Sequence, residues 1–388
     1  MKVDSVQSLR GGLQRWRFAQ QARIVLPALV LMALHFLAAQ SDALSLYQVG
    51  NSLTWDTQPN RTVMIASENS ETLDIGYHIH CNSTLTDILA SPGSTCVPAN
   101  STGEFSDALP MLEWDAVTLQ LYNKGATTLA DDLQAVTTLY NLTRSNPANA
   151  STQFFIHAPW PTLPNWSGWD DPVTASPSQP TKHSLAYFDL FMNEVDTLYP
   201  GEFKLIPLGE IIASIRDDIA NGTAVGLTSI DDLYRDDVHM SGLGRFVAST
   251  AVYASVFATD PTGTPVPRST GGWSVEDLPD DQAAYLQDAI WDVIKNQPWT
   301  GIGPFPDGDL NSDGVVDMAD FAAWQTNFGS NTALFADANE NRIVDGADYT
   351  LWRDAYEAGL AAATPEPSSL WLLAAALPII ATRGRARS

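Results

Sequence analysis

From Leu44 to about Lys295, apolar positions fall into two alternating periods. Short runs rich in β-branched and aromatic residues read "LSLYQVG", "YHIHC", "WDAVTLQLY", "TQFFIHAPW" and "EFKLIPLG", and each predicts a strand. Between and after them lie longer amphipathic stretches: "ATTLADDLQAVTTLYNLTR", "HSLAYFDLFMNEVDTLY", "GEIIASIRDDIANG" and "GLGRFVASTAVYASVFA". These predict helices. Strand alternating with helix implies a mostly parallel sheet covered on both faces. A last helix, "LPDDQAAYLQDAIWDVIKN", closes the region, and the turn-rich "QPWTGIGPFPDG" separates it from the C-terminal segment.

Both ends carry patterns that do not belong to a folded core. Arg10, Arg15, Arg17 and Arg23 precede the apolar run from Ile24 to Ala39, and the small residues of "AAQSDA" come next. A basic region, an apolar core and a small-residue site predict a secretory signal peptide over 1–43. The run is short for a membrane span, and an uncleaved anchor is the alternative. At the other end come Pro365-Glu366-Pro367, an apolar stretch from Leu370 to Ala381, and then Arg383, Arg385 and Arg387. This tail, 361–388, resembles the PEP-CTERM sorting signal of bacterial exported proteins. The resemblance implies retention at the membrane for processing, with the arginines left on the cytoplasmic side. The chain is therefore expected outside the cytoplasm, extracellular or on the cell surface. It would meet the membrane only through the signal peptide and the tail.

A formal net charge of −25 excludes nucleic acid as an expected partner, since phosphate binding needs a basic face. The same charge suits an extracellular protein or a cation binder. The two cysteines, Cys81 and Cys96, are too few for a disulfide framework. They read either as one bridge closing a short loop or as two unrelated buried thiols.

An internal repeat occupies 309–360, after a linker at 298–308. "DLNSDGVVDMADFAAW" begins at Asp309 and "DANENRIVDGADYTLW" at Asp337. Loop positions 1, 3, 5, 9 and 12 hold Asp309, Asn311, Asp313, Asp317 and Asp320 in the first copy. In the second they hold Asp337, Asn339, Asn341, Asp345 and Asp348. Position 7, Val315 or Ile343, would add a backbone carbonyl. Oxygen donors at alternate positions before a helix match the ligand logic of the EF-hand loop, which takes Ca2+. Gly314 gives the first loop its sharp turn, whereas the second has Arg342 there. The first loop has more carboxylates and is expected to bind calcium more tightly. The two copies resemble a type I dockerin domain, a small all-α calcium-binding module. That resemblance implies two Ca2+ sites and a cohesin-type partner. Met318-Ala319 and Gly346-Ala347 depart from the hydroxyl-bearing pairs common where dockerins choose that partner.

Candidate chemistry begins where the first strand ends. Ser52 comes after "LSLYQVG" and a Gly50-Asn51 turn, and a serine needs a base to act as nucleophile. Of the six histidines, His239 has Asp236 three residues before it on a loop ahead of a helix. A carboxylate so placed would hold the imidazole tautomer and stabilise the imidazolium. His157 ends a strand and reads as a pocket residue or a hydrogen-bonded structural histidine. His183 reads as a surface residue. Trp160, Trp166 and Trp169 sit in a Pro-rich loop and read as rim packing or a sugar platform.

Gly50-Asn51-Ser52 near the start and Asp236-x-x-His239 near the end together resemble the SGNH (GDSL-type) hydrolases, over 44–297. The resemblance implies a three-layer α/β/α, flavodoxin-like parallel sheet and a Ser52–His239–Asp236 triad with no catalytic cofactor. It also implies an oxyanion hole from the amides of Ser52 and Asn82 and the side chain of Gln120, which otherwise reads as a plain strand-end residue. Gln120 stands where the family has a Gly-x-Asn-Asp block, and Asn51 where it has Asp. The expected function is a secreted serine esterase acting on a carbohydrate ester. The alternative is a degenerate hydrolase domain used for adhesion through its calcium module.

Overall fold

The computed structural model describes residues 43–124, 127–170, 184–269, 274–275, 277–303, 306–311, 315–330, 336–339, 341 and 343–363. Nearly all of the segments expected to be a signal peptide and a sorting tail, together with His183, Asp313, Gly314 and Arg342, lie outside the described residues.

Four strands form within the predicted apolar runs: β1 (Leu44–Gly50), β3 (Ala116–Gln120), β4 (Gln153–His157) and β5 (Phe203–Ile206); β2 (Leu73–Ile79) starts four residues before the predicted "YHIHC" and ends two residues before it does. They pair in the order β2-β1-β3-β4-β5, and every pairing is parallel. That is a doubly wound order, with its switch point at β1, between β2 and β3. Crevices for ligands open at such a point, beyond the carboxyl ends of the strands.

Helices cover both faces, giving an α/β fold of three layers. Alternation along each strand sends neighbouring side chains to opposite cores. On one face, Leu46, Ala116, Phe155 and Ile206 pack against the helices Pro59–Glu68, Leu208–Asn221, Gly242–Phe257 and Asp280–Asn296. On the other, Tyr47, Val49, Val117, Phe154 and Leu205 meet the helices Leu85–Ala90, Phe105–Met111, Leu129–Arg144 and Leu185–Leu198. Burial on both faces explains why the strands read as near-continuous apolar runs.

The repeats form a separate small core. Leu310, Ala336, Val344 and Trp352 are buried there, with Phe321, Trp324 and Tyr349 against them. Each copy contributes a helix, Met318–Asn327 and Gly346–Ala363. The copies exchange matching bonds: Trp324 Nε1 donates to the Asp345 carbonyl at 2.7 Å, and Trp352 Nε1 to the Asp317 carbonyl at 2.9 Å. No helix among the described residues is long and apolar enough to cross a membrane.

Candidate active site

β1 delivers the chain into a five-residue helix, Ser52–Asp56. A side chain at Gly50 would meet Thr54 Oγ1 at 2.1 Å and Gln120 Cβ at 2.8 Å, so only glycine fits. Asn51 caps the helix: its Oδ1 accepts from the Leu53 N–H at 2.9 Å. Its Nδ2 donates to the Ser83 carbonyl at 3.0 Å. An aspartate could cap but not donate, which gives the Asn at this position a physical reason. Ser52 emerges half-buried from this fixed turn.

The histidine arrives on a tight loop. Tyr234 and Met240 bridge its ends, and the Arg235 N–H donates to the His239 carbonyl at 2.9 Å. Asp236 Oδ1 accepts from the Val238 and His239 N–H groups at 2.9 and 2.8 Å. The same carboxylate meets His239 Nδ1 at 3.0 and 3.1 Å. His239 Nε2 lies 2.9 Å from Ser52 Oγ. With the Nδ1 proton held by Asp236, Nε2 is the free acceptor for the serine hydroxyl. Partial burial pushes the Asp236 carboxyl up, but the N–H groups of His239 and Val238 and the imidazole outweigh it and hold it at about 2. A neighbouring loop braces this one: Trp160 Nε1 donates to the Val238 carbonyl at 2.8 Å, and the Leu163 N–H to the Asp237 carbonyl at 2.9 Å.

The expected oxyanion donors fall on three elements: the start of the Ser52–Asp56 helix, the turn after β2 and the end of β3. Asn82 sits just past β2 with φ 52°, a left-handed turn that asparagine tolerates. Among the described residues, neither the Ser52 N–H nor the Asn82 N–H donates a hydrogen bond. Gln120 ends β3 as expected, but its amide is committed elsewhere. Oε1 accepts from the Asn51 N–H at 2.9 Å and from Thr54 Oγ1 at 3.0 Å, while Nε2 donates to the Leu121 carbonyl at 2.9 Å. Two donors on Oε1 fix the amide's orientation. Gln120 therefore holds the nucleophile turn through Oε1, with one of its two Nε2 hydrogens committed to the Leu121 carbonyl, a bracing role that the sequence did not suggest.

The Asn82 turn is tied down on both sides. Lys124 Nζ donates to the Asn82 carbonyl at 2.6 Å and reaches Asp87 Oδ2 at 3.1 Å. Cys81 and Cys96 form a disulfide, settling the pair in favour of the bridge. Closing a loop of this length, a sequence separation of 15, is worth about 3 kcal/mol through the unfolded chain. Cys96→Ser is expected to lower stability by about 2–3 kcal/mol. Reduction of the native protein should produce the same loss in denaturant titration, and alkylated and serine forms should agree.

A cavity of about 200 Å3 opens beside Leu53, lined by Tyr122, Asn123, Trp160 and Trp169. Trp160 and Trp169 are only 4% and 7% exposed, so they form its walls rather than a flat platform. Trp166 carries the Arg216 guanidinium 4.4 Å above its ring. His157 is fully buried, neither ring nitrogen has a hydrogen-bond partner, and burial lowers its pKa to about 3. It is a neutral core residue, neither pocket-lining nor hydrogen-bonded.

In the repeats, the position-12 carboxylates Asp320 and Asp348 are fully buried. Asp320 accepts from the N–H groups of Leu310, Asn311 and Asp317 at 2.8, 3.1 and 2.7 Å. Asp348 repeats the pattern with Asn339 and Asp345 at 3.1 and 2.7 Å. Val315 and Ile343 turn their side chains outward, 56% and 48% exposed. Asp309, Asp337 and Asn341 lie in the same loops; the Asn341 N–H donates to Asp337 Oδ1 at 3.2 Å and to Asn339 Oδ1 at 3.0 Å. Among the described residues, no three His, Cys, Asp or Glu side chains gather closely enough to hold a metal. The donor set is all oxygen, which fits a hard cation.

The fold and site thus define a class: a parallel α/β protein with a serine, an imidazole and a carboxylate hydrogen-bonded in series beyond the sheet's carboxyl edge. No family model matches the chain, and no curated protein matches it. Among solved structures, a DUF4886 family protein from Bacteroides uniformis is similar, with 17% identity, 65% of this chain and 95% of that one covered, and a TM-score of 0.47. The periplasmic domain of a lipopolysaccharide acetyltransferase from Salmonella ser. Paratyphi A is similar over 42% of this chain and 66% of that one, with 9% identity and a TM-score of 0.28.

Proposed function

We propose that this chain is an exported serine esterase of the SGNH type, acting on a carbohydrate ester and carried on a calcium-dependent, dockerin-like module. The observation that carries the reading is the unbroken series Ser52 Oγ, His239 Nε2, His239 Nδ1, Asp236, with contacts of 2.9, 3.0 and 3.1 Å. Ser52 Oγ attacks the acyl carbon as His239 Nε2 takes its proton. Asp236 keeps the imidazole in the tautomer that can accept and stabilises the cation formed. The Ser52 and Asn82 N–H groups face the tetrahedral oxyanion, which is where fixed donors act most strongly. His239 then protonates the leaving alcohol, and water repeats the sequence to release the acid and free Ser52.

Export, the domain limits, the two Ca2+ sites and a cohesin-type partner rest on the sequence patterns and belong to the same proposal. Ca2+ would be held by Asp309, Asn311, Asp313, the Val315 carbonyl, Asp317 and Asp320, and by the matching residues from Asp337 to Asp348. It would supply structural order and no catalytic step. The partly committed amide of Gln120 favours the alternative, a domain that displays the triad without turnover, because its oxygen and one of its two hydrogens are already bonded. The deciding experiment is acetate release from acetylated polysaccharide and from an aryl acetate by the full chain. Turnover of the aryl acetate is the expected result, and its absence would leave adhesion as the function.

A further inference from the structure

Beneath the triad lies an acid that the catalytic scheme does not use. Asp56 is the last residue of the Ser52–Asp56 helix and is 1% exposed. Its Oδ2 accepts from the Met240 N–H at 2.8 Å, one residue past His239. Its Oδ1 pairs with the guanidinium of Arg245, which is 2% exposed on the helix Gly242–Phe257. Arg245 Nε in turn donates to the Met240 carbonyl at 3.3 Å. Met240 is thus gripped at both ends, its N–H by an acid from the nucleophile's helix and its carbonyl by a base from the helix after the histidine loop. Burial pushes the Asp56 carboxyl up and the Arg245 guanidinium down, and each is pulled back by the other's charge. A buried ion pair is a poor source of stability, so its presence here asks for another role.

We propose that Asp56 is a positioning residue that fixes the distance between Ser52 and His239 by holding the Met240 N–H. The inference rests on the esterase reading of the same site. The Ser52 helix and the His239 loop are far apart in sequence. Asp56 makes them one rigid unit, so the 2.9 Å contact between Ser52 Oγ and His239 Nε2 does not depend on the exposed side of the loop.

Two double variants test this. Both remove the ion pair as a unit, which folds tolerate better than the loss of one partner. Asp56→Asn with Arg245→Gln keeps an acceptor for the Met240 N–H, and Asp56→Ala with Arg245→Gln does not. The Asn pair is expected to keep kcat on an aryl acetate within about threefold of the parent, and the Ala pair to lose about 100-fold with KM little changed. Amide exchange at Met240 should be about tenfold faster in the Ala pair than in the Asn pair. Equal kcat in the two pairs, or equal exchange at Met240, would overturn the proposal. If the parent itself hydrolyses nothing, the esterase reading fails separately. The exchange ratio then decides alone, tenfold supporting the clamp and a ratio near one overturning it.

Discussion

Ser52→Ala is expected to lower kcat/KM on an aryl acetate by about 10^4-fold or more, because members of a triad act as a unit and the residual rate is water attack helped by the oxyanion donors. Folding should be almost untouched. The Ser52 hydroxyl contacts His239 Nε2, while the turn that presents it is held by Gly50, Asn51 and Gln120. A half-buried hydroxyl outside those contacts should cost no more than about 0.5 kcal/mol. The pH profile gives a second reading of the same site. Asp236, held at about 2, stays ionised through any practical assay range. Loss of activity on acidification therefore does not arise from protonation of Asp236. A profile unchanged in Ser52→Ala, with equal rates, would mean the measured hydrolysis arises elsewhere.

The second large effect is expected in the repeats. After chelation, calorimetry of the full chain should record two Ca2+ binding events, the tighter at the first loop, and helix Met318–Asn327 should gain protection from amide exchange as it fills. The physical reason is charge. Asp309, Asp317 and Asp320 belong to the first loop, and Asp320 is fully buried, accepting from the N–H groups of Leu310, Asn311 and Asp317. Each bare carboxylate there repels the others until a cation joins them. Asp309→Ala should remove the tighter event and leave the other. Because Trp324 and Trp352 cross-link the copies through each other's carbonyls, protection in the second loop should fall as well. Titration without heat, or with equal heat in Asp309→Ala, would exclude the calcium reading.

Much of the fold was legible because burial on both faces leaves a strong signal. Four of the five strands lie within the predicted apolar runs, β1 matches "LSLYQVG" end to end, and β2 overlaps its run only at 77–79. The helices Leu129–Arg144, Leu208–Asn221 and Asp280–Asn296 were equally visible by period. The short helices Ser52–Asp56, Leu85–Ala90 and Phe105–Met111 were not, being too brief to show a period and set by caps and neighbours instead. At the site, Ser52, Asp236 and His239 could be found because reactive side chains fall in short local patterns. Gln120 ends β3 where the sequence put it, but its bracing of the nucleophile turn was not visible there. Its position was local, but the direction of its amide depends on Asn51 and Thr54, far away in sequence. Asp56, Arg245 and Lys124 left no trace for the same reason. Nothing nearby marks an acid as buried or a lysine as bridging two turns, and only the packed fold brings their partners within reach.

The central claim is that Ser52 is an activated nucleophile, and a fluorophosphonate probe tests it most directly. Treated with the probe and analysed by mass spectrometry, the full chain should carry one adduct, on Ser52. Labelling should vanish in Ser52→Ala and slow by about 100-fold or more in His239→Ala, where the base is gone. No adduct on the native chain, or an adduct formed equally well in His239→Ala, would contradict the account.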